Sequence, residues 1–200
     1  MSYLVISTSL REGSRSKIMA KYLSRNLSNV EFFDLQDNPL PMCDGDKCYD
    51  LPEVKEFREK VKNAKGIVMA IPIYNYNVSS GAKNIIELGG KMLYDKVFGF
   101  ICAAGGKSSY MSVMSFANSL MIDYRCFIIP KFVYALKNDF DGKEIINSEI
   151  KQRIDELGKD LVRISEALYW RSPKIEVPTL MCVDPSCIAS SKSPDIPIDK

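Results

Sequence analysis

The stretch Leu4–Lys17, LVISTSLREGSRSK, passes abruptly from an apolar run to a cluster of hydroxyls, two arginines and a glycine. An apolar run that stops at turn chemistry reads as a short strand buried on both faces. If that strand ends near Ser7 and a helix begins near Ser16, then Ser9, Arg11, Ser14 and Ser16 line the mouth of a helix N-terminus. Unpaired N–H groups point outward at such a mouth, with the positive end of the helix dipole behind them. Hydroxyls and a guanidinium added there suit a phosphate dianion, whose oxygens accept several bonds at once. Capping accounts for one serine, Ser14 or its neighbour, and not for four positions. The loop is not a Walker A loop, because the G-x-x-x-x-G-K-[ST] spacing is absent.

Outward from this stretch the chain alternates strand and helix. Residues 16–27 place Ile18, Met19, Tyr22, Leu23 and Leu27 on one helical face, and Val30–Asp34 reads as a second strand. Residues 35–50, with prolines, glycine and aspartates, predict a loop. A helix follows with Pro52 in its first turn and Val54, Phe57 and Val61 on its inner face. GIVMAIP (66–72), KVFGFICAA (96–104) and CFIIP (126–130) are further buried strands, the last continued by Phe132–Tyr134. Between them residues 81–92 and 110–122 read as helices, the second with Val113, Phe116, Ala117 and Leu120 as its core stripe. The final helix places Ile150, Ile154, Leu157, Leu161, Ile164 and Leu168 in one stripe. The stripe lasts under three heptads, which favours packing along a sheet over a coiled coil. Pro173 stops it. These boundaries predict one domain over residues 1–172 and an extended Pro/Ser-rich tail over 173–200.

Five nearly continuous apolar strands separated by helices predict an α/β three-layer sandwich, a parallel sheet with helices on both faces. Five such units fit the flavodoxin-like order 2-1-3-4-5, in which ligands bind beyond the carboxyl ends of the strands beside strand 1.

Bulk properties narrow the chemistry. A net charge of +2 argues against nucleic acid and membrane surfaces as partners. No signal peptide or membrane-spanning run is visible, so a cytoplasmic location is expected. In that reducing compartment the six cysteines are read as thiols. Cys102 and Cys126 lie in apolar runs, while Cys43/Cys48 and Cys182/Cys187 form two pairs with four residues between partners. Neither pair is a C-x-x-C, and no metal site is assigned. Histidine is absent, which removes Ser-His-Asp and Cys-His catalysis, histidine-bound zinc and any imidazole base. Chemistry here needs a borrowed cofactor or other groups.

Two further loops fall at the strand ends. In PIYNYNVSSGAKN (72–84), Tyr74 and Tyr76 alternate with Asn75 and Asn77, aromatic faces beside amide donors that suit a flat heteroaromatic ring. In AAGGKSSY (103–110), Gly105-Gly106 lets backbone approach a ligand closely. A phosphate at the first loop and a planar ring at the other two have the shape of flavin mononucleotide.

At these residues the sequence resembles the NADPH-dependent FMN reductase family of flavodoxin-like quinone, azo-dye and chromate reductases. The resemblance rests on S-x-R-x-x-S-x-[NS] at Ser9, Arg11, Ser14 and Ser16, and on P-x-Y-N-Y at Pro72, Tyr74, Asn75 and Tyr76. Gly81, Lys83, Asn84 and the Gly105-Gly106 turn follow, and the whole covers roughly residues 1–170. It implies that the first four residues hold the FMN phosphate and that Pro72, Tyr74, Asn75 and Tyr76 hold the ribityl chain and ring. Ala104, Gly105, Gly106 and Ser108 would contact the pyrimidine edge. It also implies a homodimer or homotetramer with the flavin near a subunit boundary. Residues 77–81 depart from the family, reading Asn-Val-Ser-Ser-Gly where a proline-containing run is common.

The resemblance implies that NADPH or NADH passes hydride to the flavin and leaves, and that a quinone-like or other small acceptor then takes its place. No catalytic side chain is assigned, because the flavin carries the chemistry. The competing readings are a flavodoxin-like electron carrier, an iron–sulfur flavoprotein and a non-catalytic flavin-binding protein. A carrier of that kind is expected to be strongly acidic, unlike this chain, and Cys43 and Cys48 are two thiolates short of a cluster.

Overall fold

An apolar run can be a strand without polar alternation only if both its faces are covered, and that condition sets this architecture. A computed structural model of the chain describes residues 2–171. Its elements are β1 (Ser2–Ser7), α1 (Arg15–Asn26), β2 (Val30–Asp34), α2 (Pro52–Asn63), β3 (Ala64–Tyr74), β4 (Asn77–Val78) and α3 (Ser80–Gly89). They continue with β5 (Val97–Ala103), α4 (Met114–Tyr124), β6 (Phe127–Ile128), β7 (Val133–Ala135), β8 (Phe140–Asp141), β9 (Glu144–Ile145) and α5 (Ser148–Arg171). The tail expected over 173–200, with Cys182 and Cys187, lies outside the described residues.

The central sheet runs β2-β1-β3-β5-β6, with β7 also on β5, and every one of these pairings is parallel. Taking β5 as the fourth long strand and β6 with β7 as the fifth, this is the expected order 2-1-3-4-5. The fifth strand is broken rather than continuous. Val97 pairs with Phe127 but Ile101 pairs with Val133, so two residues are inserted along the edge. The cause is local: Pro130 has no N–H to donate, and Lys131 turns the chain through φ 59°. The sheet also carries two additions that hydrophobic periodicity did not mark: β4 folds back antiparallel on the end of β3, and β8 and β9 form a separate hairpin.

Each face of the sheet has its own core. Leu4, Ile6, Ile67, Met69, Ile71, Phe98 and Phe100 point to the face covered by α2, α3 and α4, which contribute Phe57, Ile85, Ile86, Phe116 and Leu120. Val5, Val68, Ala70 and Ile101, the alternate residues, point to the face covered by α1 and α5, with Met19, Leu23, Ile154, Leu157 and Leu161. Strand periodicity of two is thus hidden inside continuous apolar sequence, because both faces bury carbon. Helix α5 sits close: a Cβ built on Gly66 of β3 would lie 2.5 Å from Ser165 Oγ and 2.8 Å from Leu161 Cδ1. Among the described residues no helix is long and apolar enough to cross a membrane.

The expected helices end where local geometry dictates. The 81–92 helix stops at Gly89, since Gly90 takes φ 50°, and a 3₁₀ turn completes the segment. The 110–122 helix begins at Met114, after 3₁₀ structure over Lys107–Val113.

Candidate functional site

Parallel strands deliver all their carboxyl ends to one edge, and at that edge the loops after β1, β3 and β5 enclose an open cleft of about 700 Å³. The first loop is anchored before it turns. The Thr8 N–H and hydroxyl both donate to the Ala70 carbonyl at 3.1 Å, tying the end of β1 to β3. Ser9 Oγ accepts from the Arg11 N–H at 3.3 Å, and Gly13 turns the chain at φ 64° into α1. Ser14 occupies the N-cap position, yet its hydroxyl makes no capping bond to a backbone N–H of the helix. It pairs instead with Ser16 Oγ at 2.8 Å. The helical ladder starts with Ile18 N–H on the Ser14 carbonyl. The N–H groups of Arg15, Ser16 and Lys17 precede that first bond, and α1 carries no acidic residue in its first turn. Lys17 is ion-paired with Asp34.

The second loop is a tight hairpin. Ile73 pairs with Val78 and Tyr74 with Asn77, leaving Asn75 and Tyr76 as a two-residue connection. Their φ values, 49° and 58°, are those of a type I′ turn, which ordinarily takes Asn-Gly. A tyrosine there is strained, and its side chain is 69% exposed. The hairpin thus holds Tyr74 and Tyr76 outward at the cleft rather than in the core.

The third loop is held from behind. The Ala104 N–H donates to the Ala135 carbonyl at 3.0 Å, and the Tyr134 hydroxyl lies 2.6 Å from the Gly106 carbonyl and 2.7 Å from Ser109 Oγ. Gly105 and Gly106 have no positive φ, and a Cβ on either would meet nothing within 4 Å. Neither backbone conformation nor internal packing therefore requires a glycine at these positions. What they provide is bare backbone facing open space.

All the residues expected at the site line this cleft except Ser9 and Ser16. Those two are buried behind the loop, where Ser9 fixes the Arg11 turn and Ser16 orients Ser14. The cleft adds Arg15, Ile73, Ala103 and Ser109, which the sequence reading passed over. Arg15 bridges two loops, its Nη1 donating to the Ala104 carbonyl at 3.3 Å. It stands inside the quoted stretch, one place from Ser14, and a cation beside a suspected phosphate mouth was the signal available. Tyr134 gave none: its role depends on β7 lying beside β5.

The donor set fits a phosphorylated planar ligand. Two guanidiniums, the Ser14 hydroxyl and the first-turn N–H groups of α1 stand at one end; aromatic rings, an amide and bare glycine backbone stand at the other. Among the described residues the lining holds no carboxylate, thiol or amine, and its phenol hydroxyls are those of Tyr74 and Tyr76. Among the described residues no three of His, Cys, Asp or Glu stand together as a metal site.

Comparison with known proteins agrees with this arrangement. The family model described as NADPH-dependent FMN reductase matches residues 1–141. The chain is 26% identical over 145 residues to an NAD(P)H-dependent FAD/FMN reductase of Geobacillus thermodenitrificans, covering 71% of this chain and 76% of the relative. It is 28% identical over 137 residues to an NAD(P)H:quinone oxidoreductase of Solanum tuberosum, covering 62% and 69%. Its fold is similar to that of FerB, a flavoenzyme NAD(P)H:(acceptor) oxidoreductase from Paracoccus denitrificans. The TM-score is 0.69 at 17% identity, over 83% of this chain and 97% of that one.

Proposed function

The chain belongs to the NADPH-dependent FMN reductase family and is an FMN-dependent NAD(P)H oxidoreductase acting on a small-molecule acceptor; from that premise we propose how its own residues serve the reaction. Arg11, Ser14 and the first-turn N–H groups of α1 hold the FMN phosphate, with Ser9 and Ser16 fixing them from behind. Pro72, Tyr74, Asn75 and Tyr76 hold the ribityl chain and ring, and Ala104, Gly105, Gly106 and Ser108 meet the pyrimidine edge. When bound, FMN supplies hydride acceptance and electron delivery. The protein positions the reactants and supplies the electrostatic setting, and the missing histidine costs nothing. The exposed Tyr74 and Tyr76 rings shape a face suited to flat, quinone-like acceptors.

The observation that carries this reading is the mouth of α1: Ser14 at the N-cap bonds Ser16 Oγ and not a helix N–H, and it lines the cleft beside Arg11 and Arg15, an arrangement suited to an anionic ligand. FMN titration tests it. Replacing Arg11 by alanine removes a charge-assisted bond of about 1.5–3 kcal/mol, a loss of roughly 10- to 100-fold in FMN affinity. Unchanged affinity would show that the phosphate lies elsewhere. In the same titration, oxidised-flavin absorption that bleaches anaerobically with NADPH reports the first half of the reaction.

The oligomer is read from an exposed surface. Met111, Met114, Met121 and Ile122 are all exposed, at 62%, 40%, 42% and 70%, and the exposed residues between Met114 and Met121 on α4 are the uncharged Ser115 and Asn118. Such a stripe is a candidate contact with a second copy of the chain. The 3₁₀ segment that carries Met111 also carries Ser108 and Ser109 of the cleft, so this contact would set a subunit boundary beside the flavin. The proposed location is the cytoplasm, a reducing compartment in which thiols such as the four free described cysteines persist.

A further inference from the structure

One cluster of reactive side chains lies outside the cleft and takes no part in the flavin reading. Cys43 and Cys48 flank the turn after β2, and the Cys48 S–H donates to Cys43 Sγ across 3.8 Å. The Tyr49 hydroxyl lies 3.4 Å from the same Cys43 sulfur. The surrounding turn is built to hold this geometry. Asp44 Oδ1 accepts from the N–H groups of Asp46 and Cys48, at 2.9 Å and 3.0 Å. Asn84 of α3 accepts from the Cys43 N–H at 2.8 Å and donates to the Pro41 carbonyl at 2.8 Å, so the loop is pinned on both sides of Met42.

The two sulfurs are unequal. Cys48 is 3% exposed, and burial pushes its thiol up. Cys43 is partly exposed. Hydrogen bonding to Cys43, with burial behind it, holds the Tyr49 hydroxyl protonated, and the Arg58 guanidinium lies 5.0 Å from the Tyr49 ring centroid. A packing role accounts for Cys48, which behaves as an enclosed small apolar group. Cys43 differs: it is only partly buried at the edge of the core, its sulfur accepts from the Cys48 S–H, and it shares a hydrogen bond with the Tyr49 hydroxyl, which also reaches the Glu87 carbonyl at 3.4 Å. Cys102 and Cys126, by contrast, are each buried.

We propose that Cys43 and Cys48 form a redox-active dithiol, a site that a hydroperoxide oxidises to a Cys43–Cys48 disulfide. The sulfur of the partly exposed Cys43 attacks first. Cys43 thiolate takes one peroxide oxygen: an S–O bond forms, the O–O bond breaks, and the leaving hydroxide gains a proton to become water. Cys48 sulfur then attacks Cys43 sulfur. The S–S bond forms, the S–O bond breaks, and the second hydroxide leaves as water with the Cys48 proton. Two thiols lose two electrons, and hydrogen peroxide is reduced to two waters. The sulfurs must close from 3.8 Å to about 2 Å, a side-chain movement across a turn whose backbone is already fixed.

The test treats the full FMN-loaded chain with stoichiometric hydrogen peroxide, quenches with an alkylating agent and maps the thiols by peptide mass. The expected result is a Cys43–Cys48 link, lighter by two hydrogens and restored by dithiothreitol, formed while Cys102 and Cys126 remain reduced. Cys48→Ser should trap Cys43 as a sulfenic acid that takes a dimedone label absent from the wild type. Three results would each overturn the proposal: a Cys43 that does not react, a Cys43 driven to sulfinic acid while Cys48 stays free, or a link from Cys43 to Cys182 or Cys187. Equal dimedone labelling in wild type and variant would do the same. The wild-type map decides alone if Cys48→Ser does not fold.

Discussion

At the scale of single residues, the site is recognisable by side chains that forgo their ordinary structural use. Ser14 stands at an N-cap and does not cap. Gly105 and Gly106 have neither the positive φ nor the close neighbour that usually explains a glycine. Tyr76 holds a left-handed conformation, φ 58°, at a turn position that favours glycine. Such a backbone costs a bulky residue about 1 kcal/mol or more. Tyr76→Gly is therefore expected to stabilise the fold by about 1 kcal/mol in urea denaturation. The same change should weaken turnover with quinones, because it deletes an exposed ring at the cleft. A variant both less stable and fully active would show that Tyr76 serves the fold alone.

At the scale of elements, packing distances set which changes the sheet tolerates. Gly66 is where α5 crosses β3, and a methyl there would meet Ser165 Oγ and Leu161 Cδ1 at 2.5 Å and 2.8 Å. Gly66→Ala should destabilise the protein by about 1–3 kcal/mol, read as a lower urea midpoint at unchanged m-value. The turn bearing Cys43 and Cys48 answers to acid instead. Hydrogen bonds from the Asp46 N–H and from Cys48 hold the exposed Asp44 carboxyl down at about 2, below its ordinary 3.8. A depressed folded value means that the carboxylate's contribution is complete above the ordinary value and is lost as pH falls through about 2. The amide resonances of Asp46 and Cys48 should titrate with that low midpoint, and a midpoint near 3.8 would mean the turn is not held by Asp44. Element type was legible for the long segments because each buried run is long and each helix stripe regular. The hairpins β3–β4 and β8–β9 were not, since two-residue strands carry no periodicity to read.

At the scale of the whole molecule, two cores back to back hold the strands whose carboxyl ends carry the open cleft. The sheet is clamped on both faces. Its loops meet solvent at the carboxyl edge, and among the described residues no second layer covers the tyrosines there. A second copy across α4 would supply that cover. Ile122→Asp places a charge on the proposed contact, at its most exposed apolar residue, and should shift the protein toward monomer in sedimentation experiments, with FMN affinity little changed. An unaltered assembly would move the contact to another face.

The sequence by itself determined the layered architecture, the strand order and the three loops that form the cleft. Continuous apolar runs have one stable solution, a parallel sheet covered on both sides, and that solution brings the loops after its first, third and fourth long strands to one edge. Tertiary structure alone decided which members of those loops face the cleft. Ser9 and Ser16 match the motif as well as Arg11 and Ser14 do, but both are buried off the cleft, Ser9 on the Arg11 N–H and Ser16 on the Ser14 hydroxyl. Arg15 reaches Ala104, and Tyr134 reaches Gly106 and Ser109, across distances in sequence that no local pattern encodes. The approach of Cys43 to Cys48 belongs to the same class. Their spacing was visible from the start, and only the Asp44 turn and the Asn84 anchor bring the sulfurs together. Periodicity reports the face of an element; which atoms meet is set by packing and hydrogen bonding between elements.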